Sequence, residues 1–489
     1  MNMSLIDYAV LFIFFIAMVF IGHVTSKKMV NTREMYAAGG KSPWWMSGIS
    51  SYMTMFSAGT FVVFGGIAYR YGVVSIVLLM TIGISTFIAG YFFAARWKSQ
   101  GFDSAAEFIA HKYGKFVLQV FTWLGMVTRM IGVAIALYSV SVVVCSLIPL
   151  GKENILANAE GMMSVNYMIL IVGIVLVMYT FMGGLWAVLL TDFTQFIVLT
   201  FSVLIVVPLI ISYGGGIETI IAKLPAEHFS LTHNEYTGWF IFGWLLTHVF
   251  KIGGEWAFVQ RYLCVATPID AKKSAYLFGA LYVLTPVLWM LPPIVYRTID
   301  PTANPEQAYI LAANMVLPAG GTGLIVASML AATASMASGE LNVFSGALTT
   351  EVYGKIIRPG SSDRTLLRVG KFVTVLLGSI VILLSLAIPY LGGAEKVVIL
   401  ITTLFVGPMV MPALWALYVK PVTKWHAWLT IIGTGIMGLL LQVAFKDSEW
   451  VKVNLPVLNL VVGIGTPLLM LQCTTLYLRK KQQALTSVV

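Results

Sequence analysis

Leu324–Thr350 reads LIVASMLAATASMASGELNVFSGALTT. The segment exceeds the roughly 20 apolar residues that cross a bilayer. Yet Ser335, Ser338, Asn342, Ser345 and Thr349 recur every three or four positions, so they share one helical face. A polar stripe inside hydrocarbon is costly unless it faces protein, water or an ion. Two readings fit the segment by itself. One is close helix packing through small residues, which Ala331, Ala332, Ala334 and Ala337 also serve. The other is a lining for something that crosses the membrane.

The rest of the chain has the same character. Its 489 residues are 59% hydrophobic and only 10% charged, against roughly 25% charge in a soluble domain. Apolar runs occur near 5–25, 46–68, 73–95, 116–148, 166–182, 187–212, 238–258, 275–296, 320–350, 370–390, 396–418, 426–445 and 456–478. The pattern predicts an all-α polytopic membrane protein with thirteen spans. The first run is too long for a cleaved signal peptide, and Lys27 and Lys28 follow it as a stop. Cys145, Cys264 and Cys473 lie in or beside apolar segments, so neither a disulfide framework nor a cysteine metal site is expected.

A net charge of +10 invites a nucleic-acid reading, and its distribution argues against one. Numbered from an outside N-terminus, the cytoplasmic segments hold 21 of the 30 basic residues and the opposite side seven, with Arg129 and Lys251 inside spans. The positive-inside rule then predicts N-terminus out and C-terminus in. In that count Arg261 stands in a cytoplasmic segment, and Glu255 stands where the span 238–258 meets the cytoplasm. Ile217–Leu224 and Pro305–Val316 have helical periodicity and are expected to pack on the outer face.

Met46–Tyr71, MSGISSYMTMFSAGTFVVFGGIAYRY, mixes Ser50, Ser51, Thr54, Ser57 and Thr60 with Gly48, Gly59, Gly65 and Gly66. Small polar residues and glycine let a helix unwind midway and expose carbonyls. Broken helices of this kind build solute and cation sites at the bilayer midplane. The Ser57-Ala58-Gly59-Thr60 run at mid-depth favours that reading over an ordinary glycine-rich span. Intramembrane charges point to function by default, and Arg129, Asp192, Lys251 and Glu340 qualify; an internal structural pair is the plainer reading of each.

Three ordered motifs carry a family resemblance. GGLWAVLLTDFTQ (Gly183–Gln195) resembles the fourth–fifth helix junction of the sodium:solute symporter family. GEWAFVQRYLCVATPIDAKKSA (Gly254–Ala275) is similar to its sixth-helix end, and LAATASMASGELNVFSGALTTEVYGK (Leu330–Lys355) resembles its eighth core helix. The resemblance implies a LeuT-like inverted repeat of five plus five helices in a single transporter domain over 1–489. One helix (5–25) precedes the repeats (46–212 and 238–418), and two accessory helices (426–478) follow them.

The resemblance further implies a sodium ion held by the carbonyls of Met53, Phe56 and Ala332 and the hydroxyl of Ser335, with Asp192 and Ser338 at a second cation position. It departs from the family at Met336, where a second hydroxyl is usual, and a thioether is a poor ligand for a hard cation. Glu340 stands where glutamine is common. Arg129 resembles the arginine that binds the carboxylate in sialic acid transporters, and arginine forms a two-pronged match to a carboxylate. Its alternative is an ion pair with Glu340 or Asp192. Lys251 and, one turn earlier, His248 stand on the helix where family members contact solute. Ser57 and Thr60 offer hydroxyls. Ser75 and Leu79 replace an expected aromatic and glutamine, so the solute implied is a related acid such as a uronate, a keto-deoxy sugar acid or another carboxylate.

The expected activity is sodium-coupled symport of a small anionic solute by alternating access, in a plasma membrane of the bacterial inner-membrane type. Proton coupling, or a neutral sugar or amino acid as solute, is the alternative. A sensor needs a signalling domain after the last span, where only Arg479–Val489 remains. A channel needs an open pore. No Ser/His/Asp group, phosphate loop or metal cluster points to an enzyme, and nothing suggests an obligate protein partner.

Overall fold

The computed structural model describes residues 4–26, 31–145, 147–391, 406–441, 445 and 448–486. Among these the chain is helices and loops, with no strand beyond isolated bridges. Seven helices are long and apolar enough to cross a membrane, and a bent pair makes an eighth span. Of the expected spans, 396–418 is described only from 406, and 442–444 of the next lie outside the described residues.

Two helices are interrupted. The first runs as Trp44–Met55 and Thr60–Tyr71, bent by 61° at the break. Phe56 leaves helical geometry at φ −93°, ψ 132°. The interruption caps itself. Ser57 N donates to Thr60 Oγ1 at 3.3 Å, and Gly59 N donates to Ser57 Oγ at 3.2 Å. Short hydroxyl side chains that bond the nearby backbone compete with helix in this way.

The second runs as Gly238–Gly254 and Trp256–Leu263, with Glu255 between them at φ −71°, ψ 133°. Glu255 therefore does not end the helical run, as its place near the end of an apolar stretch suggests. The chain breaks there and resumes as helix, and Glu255 is buried. Arg261, expected in a cytoplasmic segment, lies on the continuation and is wholly buried.

The polar-stripe helix Gly321–Gly346 continues as a π-helix over Ala347–Ile357. It packs against Val165–Tyr213 and also touches Lys115–Cys145, Trp44–Met55 and Trp256–Leu263. Within Val165–Tyr213 the apolar stretches are Val165–Met178 and Leu185–Tyr213. The expected junction between the spans 166–182 and 187–212 is 183–186, of which the side chains of 183 and 184 lie outside the described set. Ile217–Lys223 and Ala308–Val316 are short helices, as their periodicity predicts.

Candidate functional site

Four elements meet at the breaks: the two interrupted helices, Lys115–Cys145 and the stripe helix. The face of the stripe divides along its length. Toward Thr349 it is packing. Ser345 Oγ donates to Gly370 O at 2.8 Å and accepts from Thr374 at 2.9 Å, and Gln260 donates to Asn342 at 3.0 Å. Toward Ser335 the hydroxyls face polar groups that packing leaves open. The packing reading holds for the turns at Asn342 and Ser345.

Asp192 is fully buried on Val165–Tyr213. Its Oδ2 accepts a short hydrogen bond from Ser50, which also accepts from Arg261 Nε at 3.2 Å. Ser335 stands next to the same carboxylate. Among the described residues neither Ser335 Oγ nor Asp192 Oδ1 has a hydrogen-bond partner, and nearby on Trp44–Met55 Ser51 Oγ also lacks one. Buried polar atoms are nearly always satisfied. Open oxygens beside a buried carboxylate are the donor set a hard cation takes.

Met53 and Phe56 border the first break, where Met53 O accepts only the turn-closing bond from Phe56 N at 3.2 Å. Ala332 is buried one turn before Ser335, and Ser338 Oγ donates to Ser335 O at 3.0 Å. Thr333, not singled out by the sequence, joins the elements by accepting from Ala58 N at 3.1 Å. Residues of this cluster therefore fit a sodium ion as cargo. Met336 points away from the cluster's role and lines the neighbouring cavity.

That cavity gathers all five residues expected to contact solute. Ser57, Thr60, Arg129, His248 and Lys251 line it together, with Thr54, Thr128 and Tyr282 as further hydroxyl bearers. Leu79 is part of the wall, whereas Ser75 turns away and donates to Phe64 O at 2.6 Å.

Arg129 is also paired internally. Its Nη1 lies 2.6 Å from Glu255 Oε1, and its Nη2 makes a short contact with Glu340 Oε1. The pairing with Glu340 is one that the sequence left open; that with Glu255 it did not foresee. Both carboxylates line a second, smaller cavity on the far side of Arg129, beside Trp256 and Phe344. The guanidinium thus stands as a wall shared by two cavities.

Comparison with known proteins agrees with this architecture. The model of the sodium:solute symporter family matches residues 35–433. The sodium/sialic acid symporter NanT of Aliivibrio fischeri is 25% identical over 393 residues, covering 76% of this chain and 74% of its own. The sodium/glucose cotransporter of Vibrio parahaemolyticus is 26% identical over 435 residues, covering 80% and 76%. In fold, the chain is similar to a Na+-coupled sialic acid symporter solved in a substrate-bound outward-open state, with a TM-score of 0.78 at 20% identity over 95% of this chain and 98% of that one. It is a multi-pass membrane protein with a transporter fold, uses sodium, and is not an enzyme. This chain belongs to the sodium:solute symporter family.

Proposed function

We propose that the protein imports a small acidic sugar or other carboxylate, driven by sodium, by alternating access. The observation that carries this reading is the convergence of Arg129 and Lys251 with the hydroxyls of Ser57 and Thr60 in one cavity between two broken helices. Lys251 is a cation on the cavity wall that the ion pairs of Arg129 do not include. Hydroxyls beside it suit a polyhydroxylated solute.

In this reading sodium sits on the carbonyls of Met53, Phe56 and Ala332 with Ser335, and Asp192 and Ser338 form or complete a cation position. The C-terminal end of Trp44–Met55 carries partial negative charge toward such an ion. The two interrupted helices each stand near the start of one half, which supports repeats over 46–212 and 238–418. One helix (5–25) precedes them and two accessory helices (426–478) follow, with thirteen crossings, N-terminus out and C-terminus in. Removing Arg261 from the cytoplasmic count leaves the basic bias in place. The setting is a bacterial inner membrane.

A neutral sugar or zwitterionic amino acid is the second reading, and the engagement of Arg129 by two glutamates favours it. Uptake into proteoliposomes decides. A panel of labelled sugar acids, sugars and amino acids is offered with sodium or potassium gradients. Sodium-dependent uptake of an acid supports the first reading. Uptake confined to neutral solutes supports the second, and equal uptake under both gradients removes sodium coupling.

A further inference from the structure

We infer that Lys251 and His248, rather than Arg129, form the recognition element of the cavity, and that together they select a hydroxy acid. The inference rests on the reading that the solute is anionic.

The two cations in the cavity are not equivalent. Both terminal nitrogens of Arg129 are occupied, one by Glu255 at 2.6 Å and one by Glu340. Each still carries a second N–H, and Nε has no partner among the described residues, but a solute carboxylate there is a third anion at a guanidinium that two buried glutamates already compensate. Lys251 has no such commitment. Among the described residues its Nζ forms no hydrogen bond and no ion pair, and the side chain lines the cavity. It also sits in the last turn of Gly238–Gly254, where the helix end favours a cation. Glu255 and Glu340 act on it at longer range, without a bond. An ammonium with no bonded partner, facing a cavity, is where an incoming carboxylate binds at least cost.

His248 supplies the second half of the selection. Its Nδ1 lies 2.8 Å from Trp244 O. A carbonyl only accepts, so Nδ1 carries the proton and donates. Nε2 of the neutral ring is then an acceptor. An acceptor does not bind a carboxylate; it takes the proton of a hydroxyl. His248 and Lys251 are three residues apart on one helix, so their side chains are neighbours, roughly 5–6 Å apart at Cβ. A cation and an acceptor at that spacing match a carboxylate and a hydroxyl on one small molecule. The remaining hydroxyls of a larger acid reach Ser57 and Thr60 across the cavity. A bound hydroxy acid thereby links the two broken helices.

The test uses the full chain in lipid nanodiscs. Binding is measured for N-acetylneuraminate, glucuronate and lactate, and for matched compounds lacking one group: propionate without the hydroxyl and glucose without the carboxylate. The wild type should prefer the hydroxy acids. Lys251→Met should weaken them about a hundredfold, the scale of losing one partner of a desolvated charge pair, and Lys251→Arg should recover part. His248→Phe should erase the preference for lactate over propionate while leaving propionate unchanged. Sodium-induced thermal stabilisation, retained in each variant, shows that it is folded. Hydroxy acids that bind Lys251→Met as tightly as wild type overturn the inference and leave the anionic reading standing. A wild type that binds no acid of the panel, or only glucose, overturns the anionic reading and the inference with it.

Discussion

Arg129 Nη1 lies 2.6 Å from Glu255 Oε1, across the point where the second broken helix changes direction. The contact ties Lys115–Cys145 to the break, and the other prong ties both to the stripe helix through Glu340. Arg129→Met should therefore cost about 3–5 kcal/mol of stability, because it leaves two buried carboxylates without their cation. Adding Glu340→Gln removes one of those charges and should recover part of the loss. Thermal unfolding of the single and double variants checks this; a double variant no more stable than Arg129→Met shows that the glutamate is not the partner that matters.

Ser335 and Ser345 occupy the same face of one helix and should behave differently. Sodium that binds only the folded state stabilises it by about 2.7 kcal/mol at a hundredfold excess over its dissociation constant. Ser335→Ala and Asp192→Asn should shrink that gain, because their open oxygens belong to the proposed site. Ser345 is bonded to Gly370 and Thr374. Ser345→Ala should lower the melting temperature and leave the sodium-induced shift intact. Melting curves with sodium or potassium separate the two effects.

Gly339 is a close-approach position. A Cβ there lies 2.7 Å from Arg261 Nη2, and the arginine is fully buried with its Nε on Ser50, the residue bonded to Asp192. Gly339→Ala should displace the guanidinium and weaken sodium binding at a site it does not touch. Gly435→Ala, with open space around its Cβ, is the matched control. Sodium titrations followed by tryptophan fluorescence read the difference; equal sodium affinity in both variants ends the argument for an Arg261–Ser50–Asp192 relay.

His228 lies in the loop before the second broken helix, buried, with Nε2 3.2 Å from Tyr69 O and Nδ1 without a partner. Burial pushes its pKa below the ordinary histidine value, because protonation adds a buried N–H with no acceptor. The unfolded chain then binds the proton more readily than the folded one, so stability falls as pH drops through about 6.5, the usual histidine range. His228→Gln should flatten that part of the stability–pH curve, measured as melting temperature between neutral and mildly acidic pH.

The first break was legible because Ser57 and Thr60 carry hydroxyls that bond nearby backbone N–H groups, that of Gly59 among them, and that chemistry is local. The second was not. Gly253-Gly254-Glu255 at the end of an apolar run looks like a span reaching water, and only the ion pair with Arg129 and the helix that resumes at Trp256 reveal an interior break. Arg261 misled for the same reason: a cation's neighbours in sequence do not disclose that Ser50 and Asp192, from two distant helices, are waiting for it. The residues lining the cavity were found by type and position along the chain. Which of them are already bonded to each other is a tertiary fact, and it separates Arg129 from Lys251.

At Phe56 the chain gives up helical bonding, and the oxygens released there belong to the main chain. Substitution can exchange every side chain around such a position without deleting those oxygens. A cation held partly by backbone is therefore buffered against sequence drift, while the side chains facing the solute are free to diverge. With the ion at the proposed site, that asymmetry would account for relatives near 25% identity that are named for the same ion and for solutes as different as sialic acid and glucose.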